Sequence, residues 1–280
     1  MKALALCIVL VAATLWAASS LLWSSGSHHA LSPARAVGVR DEPCPDLPDA
    51  WSVGWAHSYF GTLDGVVRIG LTVRRGDAGI EGLYFEVPEL VDHRVEVRLG
   101  KGRAVGFLVR DSDGRVAAAF RGEFTRTDPL GRYGGGELQR EVIVGVLRRR
   151  DRPASHRVYL SEDHSGPKTL ENMYANAYVV EARSIDERAV ALQRAVADHD
   201  RATVAGMVRF PIWARTGGAP VRLASEKRFL KVYDRVFTPS FGDRIAEAIP
   251  HHMFSKYSGV MLGNGQIWFD KEGRIVAINN

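Results

Sequence analysis

Residues 67–87 read VRIGLTVRRGDAGIEGLYFEV. Val67, Ile69, Leu71 and Val73 alternate with Arg68, Gly70, Thr72 and Arg74. A period of two sets one side of an extended strand against a core and the other in water. Arg75-Gly76-Asp77-Ala78-Gly79 turns the chain, and Leu83, Phe85 and Val87 resume the alternation. The pattern repeats outward from this hairpin. Val95, Val97 and Leu99 alternate with Arg94, Glu96 and Arg98. Val105, Phe107 and Val109, then Val116, Ala118 and Phe120, flank the turn Asp111-Ser112-Asp113-Gly114. Glu141–Arg148 and His156–Ser161 fit two more strands. Seven to nine short strands without a helical period predict an antiparallel barrel or sandwich over residues 50–166.

Three motifs within this stretch read as turns. Arg75-Gly76-Asp77 spells an adhesion tripeptide in an ordinary glycine turn. Asp111-Ser112-Asp113-Gly114 opens like a calcium loop, but the later acidic ligand is missing. Tyr133-Gly134-Gly135-Gly136 lacks the Lys-Ser/Thr of a phosphate loop.

The period changes after a connector, PKTLENMYANAYVVEAR (167–183). Ser184-Ile185-Asp186-Glu187 has the form of a capping box, and Ile185, Ala189, Leu192 and Val196 fall on one helical stripe. A short helix is expected over Asp200–Met207, a strand over Arg209–Ala214 and a turn at Thr216-Gly217-Gly218. Ser225 is placed to cap a helix carrying Phe229, Val232, Tyr233 and Val236, and Pro239 to open another. Asn264-Gly265 between Gly259–Leu262 and Gln266–Phe269, followed by Arg274–Ile278, predicts a meander. The fold class expected is therefore α+β: an N-terminal all-β barrel or sandwich, then helices packed on an antiparallel sheet over 184–280.

The stretches HDRATVAGMVRFPIWA (199–214), FLKVYDRVFTPSFGDRI (229–245) and above all GVMLGNGQIWFDKEGRIVAIN (259–279) resemble the nuclear-transport-factor-2-like superfamily, and in particular its exported bacterial members. The resemblance covers about the last 100 residues and implies a cone, with a curved sheet bent over helices. Some members of that superfamily use the cone as a catalytic cavity, as ketosteroid isomerase and scytalone dehydratase do. Others, including immunity and protein-transport members, only bind partners.

The chain opens with Met1-Lys2 and the uncharged run ALALCIVLVAATLWAASSLLW (3–23). As a helix this run reaches about 32 Å, the thickness of a bilayer core. It reads either as a cleaved signal peptide or as a retained anchor, and Lys2 orients the globular part outward in both cases. Residues 24–49, broken by Pro33, Pro43, Pro45 and Pro48, read as an extended linker. The expected location is the periplasm or the outer face of the inner membrane. Only two cysteines are present, Cys7 inside the leader and Cys44 inside the linker, which excludes an internal disulfide framework and a thiolate zinc site. The net charge of +5 is spread over both signs. The run Arg148-Arg149-Arg150 reads as a solvated strand end, so no nucleic-acid partner is expected.

Trp213, Tyr233, His251, His252 and Trp268 are the candidate ligand-binding residues. Asp234 is expected on the solvent side of its helix. His28-His29 and His251-His252 lack metal-ligand spacing, and neighbours on a strand point to opposite faces. No Gly-x-Ser-x-Gly elbow occurs. No catalytic residue, metal ligand set or cofactor is assigned. The reading reached is a non-catalytic envelope protein that binds a protein or small-molecule partner. Membrane association would run through the uncleaved N-terminus, and homo-oligomers are possible. Two other classes have distinct signatures. An enzyme, isomerase- or hydrolase-like, would show a buried carboxylate or histidine facing an open pocket. A structural assembly subunit would show an exposed apolar sheet face.

Overall fold

The computed structural model describes residues 51–280 except 52, 78, 88, 128–136 and 219. All of these belong to one compact unit spanning 43–280. The leader, the linker, both cysteines, His28-His29 and the glycine run 134–136 lie outside the described residues.

Eight strands run in chain order and pair antiparallel with their sequence neighbours: β1 Ala56–Leu63, β2 Val67–Gly76, β3 Gly79–Glu86, β4 His93–Leu99, β5 Ala104–Arg110, β6 Val116–Thr127, β7 Glu137–Arg149 and β8 Ser155–Gly166. β1 pairs with both β2 and β8, so the sheet closes into a barrel and leaves no edge strand. Of the two architectures that the hairpin series permits, the chain takes the barrel. Its interior is packed with apolar side chains, Tyr59, Leu71, Tyr84, Phe107, Phe120 and Leu160 among them. The rings of Phe107 and Phe120 stack at 4.5 Å. Outside, β4 and β5 present Glu96, Arg98 and Arg110, with Glu96 bridging both guanidiniums at 2.6 and 3.2 Å. Asp111 closes the β5–β6 turn by accepting from the Asp113 and Arg115 amides, as a turn residue rather than an ion ligand. Arg149 pairs with Glu86, which also accepts from Tyr84 at 2.8 Å. The middle of the basic run thus braces one end of the barrel.

The register corrects one face assignment. Leu71 faces Tyr84 and Thr72 faces Leu83 across β2 and β3, so Tyr84 enters the barrel while Leu83 and Phe85 point outward. Alternation reveals two faces without revealing which one is inside. Here both are covered: Ser58, Thr72 and Phe85 on the outer face of β1–β3 are as buried as the core. This double burial is also why β1, with the run His57-Ser58-Tyr59-Phe60, shows no clean alternation in the sequence. Phe85 lies opposite Gly70, and a β-carbon at Gly70 would fall inside the Phe85 ring.

The remainder of the chain supplies what covers this face. It contains α1 Ala182–Ala197, α2 Arg201–Met207, α3 Glu226–Leu230, α4 Tyr233–Val236 and α5 Pro239–Glu247. A ribbon of β9 Ile212–Arg215 and β10 Pro220–Leu223 accompanies a four-stranded meander, β11 Phe254–Lys256, β12 Gly259–Leu262, β13 Ile267–Phe269 and β14 Ile275–Ile278. One core joins them, and Met173, Tyr174, Ala177 and Val179 from the 167–183 stretch are part of it. Asp200 caps α2 by accepting from the Thr203 amide at 3.0 Å, and Ser225 caps α3. Two helix expectations are corrected. α1 starts at Ala182 with Glu181 at its cap, so Ser184 lies inside the helix and its hydroxyl donates to the Glu181 carbonyl instead of capping. The helix expected through Val236 breaks after Leu230 into α3 and α4; Tyr233 and Phe237 stack, and Phe229 meets both edge-to-face. Among the described residues no helix is long and apolar enough to cross a membrane.

Gly70→Ala is expected to lower stability by about 2 kcal/mol through overpacking against Phe85. Chemical denaturation should show a smaller loss for the same change in a Phe85→Leu background, because the two positions share one space.

Candidate functional site

Pro250, His251 and His252 lie between α5 and β11, where no strand pairing dictates alternation. His252 takes a left-handed backbone, φ 49°. This turns the chain so that the two rings stack on one side, with centroids 4.2 Å apart and planes 25° apart. The divergence expected of strand neighbours therefore does not occur. Phe85 presents its ring edge-on to both imidazoles, at 4.6 and 5.1 Å.

Carboxylates from two distant parts of the chain meet this pair. Asp92, in the connection between β3 and β4, lies 3.0 Å from His251 Nε2 and 3.1 Å from His252 Nε2. Asp186, in the second turn of α1, lies 2.6 Å from His251 Nδ1. The Tyr174 hydroxyl donates to the other Asp186 oxygen and accepts from the Met253 amide at 3.1 Å. His252 Nδ1 meets the Thr72 hydroxyl at 3.0 Å, and Thr72 meets Ser58 at 3.0 Å. The chain Tyr174–Asp186–His251–Asp92–His252–Thr72–Ser58 therefore crosses from the C-terminal core onto the outer wall of the barrel.

Both nitrogens of His251 face carboxylate oxygens, so both must donate and the ring is an imidazolium. Burial alone would lower its pKa, but the hydrogen bonds and charges of Asp186 and Asp92 prevail and raise it to about 9. Burial likewise works against ionised Asp92, yet the two histidines hold its carboxyl far below the usual range. His252 is pushed down by burial and is neutral, donating from Nε2 to Asp92 and accepting at Nδ1 from Thr72. Burial and the neighbouring Asp186 hold the Tyr174 phenol well above its ordinary value. Nearby, the Lys168 ammonium is buried, donates to the Met253 carbonyl at 3.4 Å, and is lowered to about 7 by desolvation.

The cluster forms the floor of an open cleft of about 790 Å³ between the β3–β4 connection and α1. Glu89, Glu171, Glu181 and Glu187 line it along with Asp92 and Asp186, against Arg183, Arg194 and the His251 imidazolium. Arg183 is already paired with Glu187 at 2.9 Å. Val91 and Val180 add exposed apolar surface at the rim. The cleft is therefore acidic, with apolar edges.

Of the five sequence candidates, His251 and His252 come together here. Trp213 sits exposed on β9. Tyr233 packs flat on Phe237 at 4.8 Å inside the helical core. Trp268 carries the Lys256 ammonium over its ring at 4.7 Å. None of these three lines the cleft. Asp234 is exposed and paired with Arg201 at 3.0 Å. Asp92, Asp186, Tyr174 and Thr72 escaped the sequence reading. Asp186 carries one faint signal in the sequence, an acid directly beside Ile185 on the helix stripe, and the Ser-x-x-Glu pattern around it hides that signal.

Asp186→Asn leaves the imidazolium one anion short in a buried site and is expected to cost about 3 kcal/mol, whereas Glu187→Gln on the same helix should stay within about 0.5 kcal/mol in the same denaturation assay. Lys168 titrates at about 7 when folded against an ordinary 10.5, so the unfolded chain binds more protons between these values and stability rises with pH across that window. Lys168→Met should therefore stabilise most at or below pH 7, and pH-resolved melting should show the gain shrinking steadily towards pH 10.

Comparison of the chain with protein-family models, with curated proteins and with solved structures returns no match.

Proposed function

We propose that this chain is a non-catalytic binding protein of the cell envelope, delivered by its opening run and gripping a positively charged partner in the cleft between barrel and helices. The partner is a basic segment of an envelope protein or a small cation. The observation that carries this reading is the acidic cleft with apolar edges, in which six carboxylates stand against two guanidiniums and the His251 imidazolium. Val91 and Val180 would cover the apolar part of such a partner.

The competing enzyme reading draws on the same floor, because Asp186, His251 and His252 are buried groups facing an open cleft. Against proton transfer, each nitrogen of both imidazoles already has a hydrogen-bond partner, so none is aimed at a substrate. The nuclear-transport-factor-2-like resemblance of residues 184–280 accords with recognition, since immunity-type members of that superfamily bind partners without turnover. An inhibitor that caps an envelope protein is one concrete form.

Full-length protein immobilised and exposed to envelope extract should retain one stoichiometric partner. A Glu171→Lys/Glu187→Lys variant at the exposed rim should bind that partner at least about tenfold more weakly, and added salt should weaken the wild type. Retention unchanged by the charge reversal, or no partner at all, overturns the proposal.

A further inference from the structure

We propose that Asp92, His251 and His252 form a binding site for one divalent first-row transition ion, zinc among them, at the floor of the seam cleft. This goes beyond the recognition reading and does not depend on which partner occupies the rim.

Three observations carry it. The first is convergence. Asp92, His251 and His252 each offer a ligand atom, all within 4.8 Å of one another, and one Asp92 oxygen lies 3.0 and 3.1 Å from the two Nε2 atoms. The edge of a tetrahedron of such ligands around zinc is about 3.3 Å, so seating an ion asks for shifts of a few tenths of an ångström at these contacts. The second is outer support. The remaining nitrogen of each ring is held from behind, His251 Nδ1 by the Asp186 carboxylate at 2.6 Å and His252 Nδ1 by the Thr72 hydroxyl at 3.0 Å. Metal-bound histidines are oriented in this way, and the supporting groups set ring angle and basicity. The third is access with charge. A third of the Asp92 side chain is open to the cleft, which leaves room for a water or ligand atom in a remaining coordination position.

Charge balance favours exchange of a proton for an ion. Two carboxylates around one imidazolium leave the cluster with one uncompensated negative charge. A divalent ion displaces the proton on His251 Nε2 to solvent, and two carboxylates with two neutral rings then balance it. His252 keeps its proton count: the hydrogen moves from Nε2 to Nδ1, from which it donates to Thr72, and the Thr72 hydroxyl donates onward to Ser58 at 3.0 Å. Thr72 and both ring nitrogens of His252 keep a partner through the change. Imidazole with carboxylate suits zinc, iron(II), nickel or cobalt better than the hard ions calcium and magnesium.

The test uses the full-length chain stripped with chelator and titrated with zinc(II) and with cobalt(II), reading ion stoichiometry by mass spectrometry and coordination by cobalt visible absorption. One ion per chain is expected. Asp92→Asn should weaken binding at least about 100-fold, and Thr72→Val, which removes only the outer support, about tenfold. A His28→Ala/His29→Ala variant should bind as the wild type does. Thermal melting of each apo variant establishes that it is folded, and if Asp92→Asn fails to fold, Thr72→Val decides. Absence of saturable binding, affinity unchanged in folded Asp92→Asn or Thr72→Val, or loss of the ion in the His28/His29 variant overturns the site. Ion loading and partner capture are separate readouts, so failure of one leaves the other standing.

Discussion

The ring of His251 is held between two carboxylates from different parts of the chain, Asp92 on the barrel side and Asp186 on the first helix after it. Withdrawing three charged groups from water, Asp186 and His251 almost wholly and Asp92 in part, is unfavourable unless each is matched by the others, and the geometry here matches them. The connection between β3 and β4, the start of α1 and the turn before β11 must all be in place for that match. A shift of any one by an ångström or two would leave a charge buried without its partner. The network thus fixes how the helical half docks on the barrel, and it places the cleft directly above the junction.

The docking also explains the barrel wall. β1, β2 and β3 bury both faces, with Ile69 and Leu71 turned into the barrel and Ser58, Thr72 and Phe85 turned towards the helical half. Glycine at position 70 leaves the space that the Phe85 ring occupies, and the ring in turn buttresses both imidazoles. A polar pair, Ser58 and Thr72, survives on this dry surface because each hydroxyl has a partner, the second being His252. Packing and polarity are therefore coupled at one place: an apolar ring sets the distance, and hydrogen bonds set the orientation.

Much of the fold was legible locally. The alternation of Val67 to Val73, and its recurrence through four further hairpin strands, reported an antiparallel β-domain because strand period and burial are properties of a few neighbouring residues. The Ser225 cap, the short helix beginning near Asp200 and the Pro239 helix start were legible for the same reason. The start of α1 was misplaced because a Ser-x-x-Glu pattern can lie inside a helix as easily as at its end. The site was far less legible. Of its members only His251 and His252 stood out, and strand geometry was wrongly assumed for them where a left-handed residue bends the chain.

The sequence by itself determined the strand and helix periods, the positions of most turns, and the presence of two adjacent imidazoles. It could do so because each depends on residues within one element. Tertiary structure alone decided that the strands close into a barrel, which face of β3 looks inward, and that Asp92 and Asp186 converge on His251. Those contacts join residues up to 159 positions apart. No local pattern encodes them, since an acid in a loop and an acid on a helix look like any other solvated charge until folding removes the water.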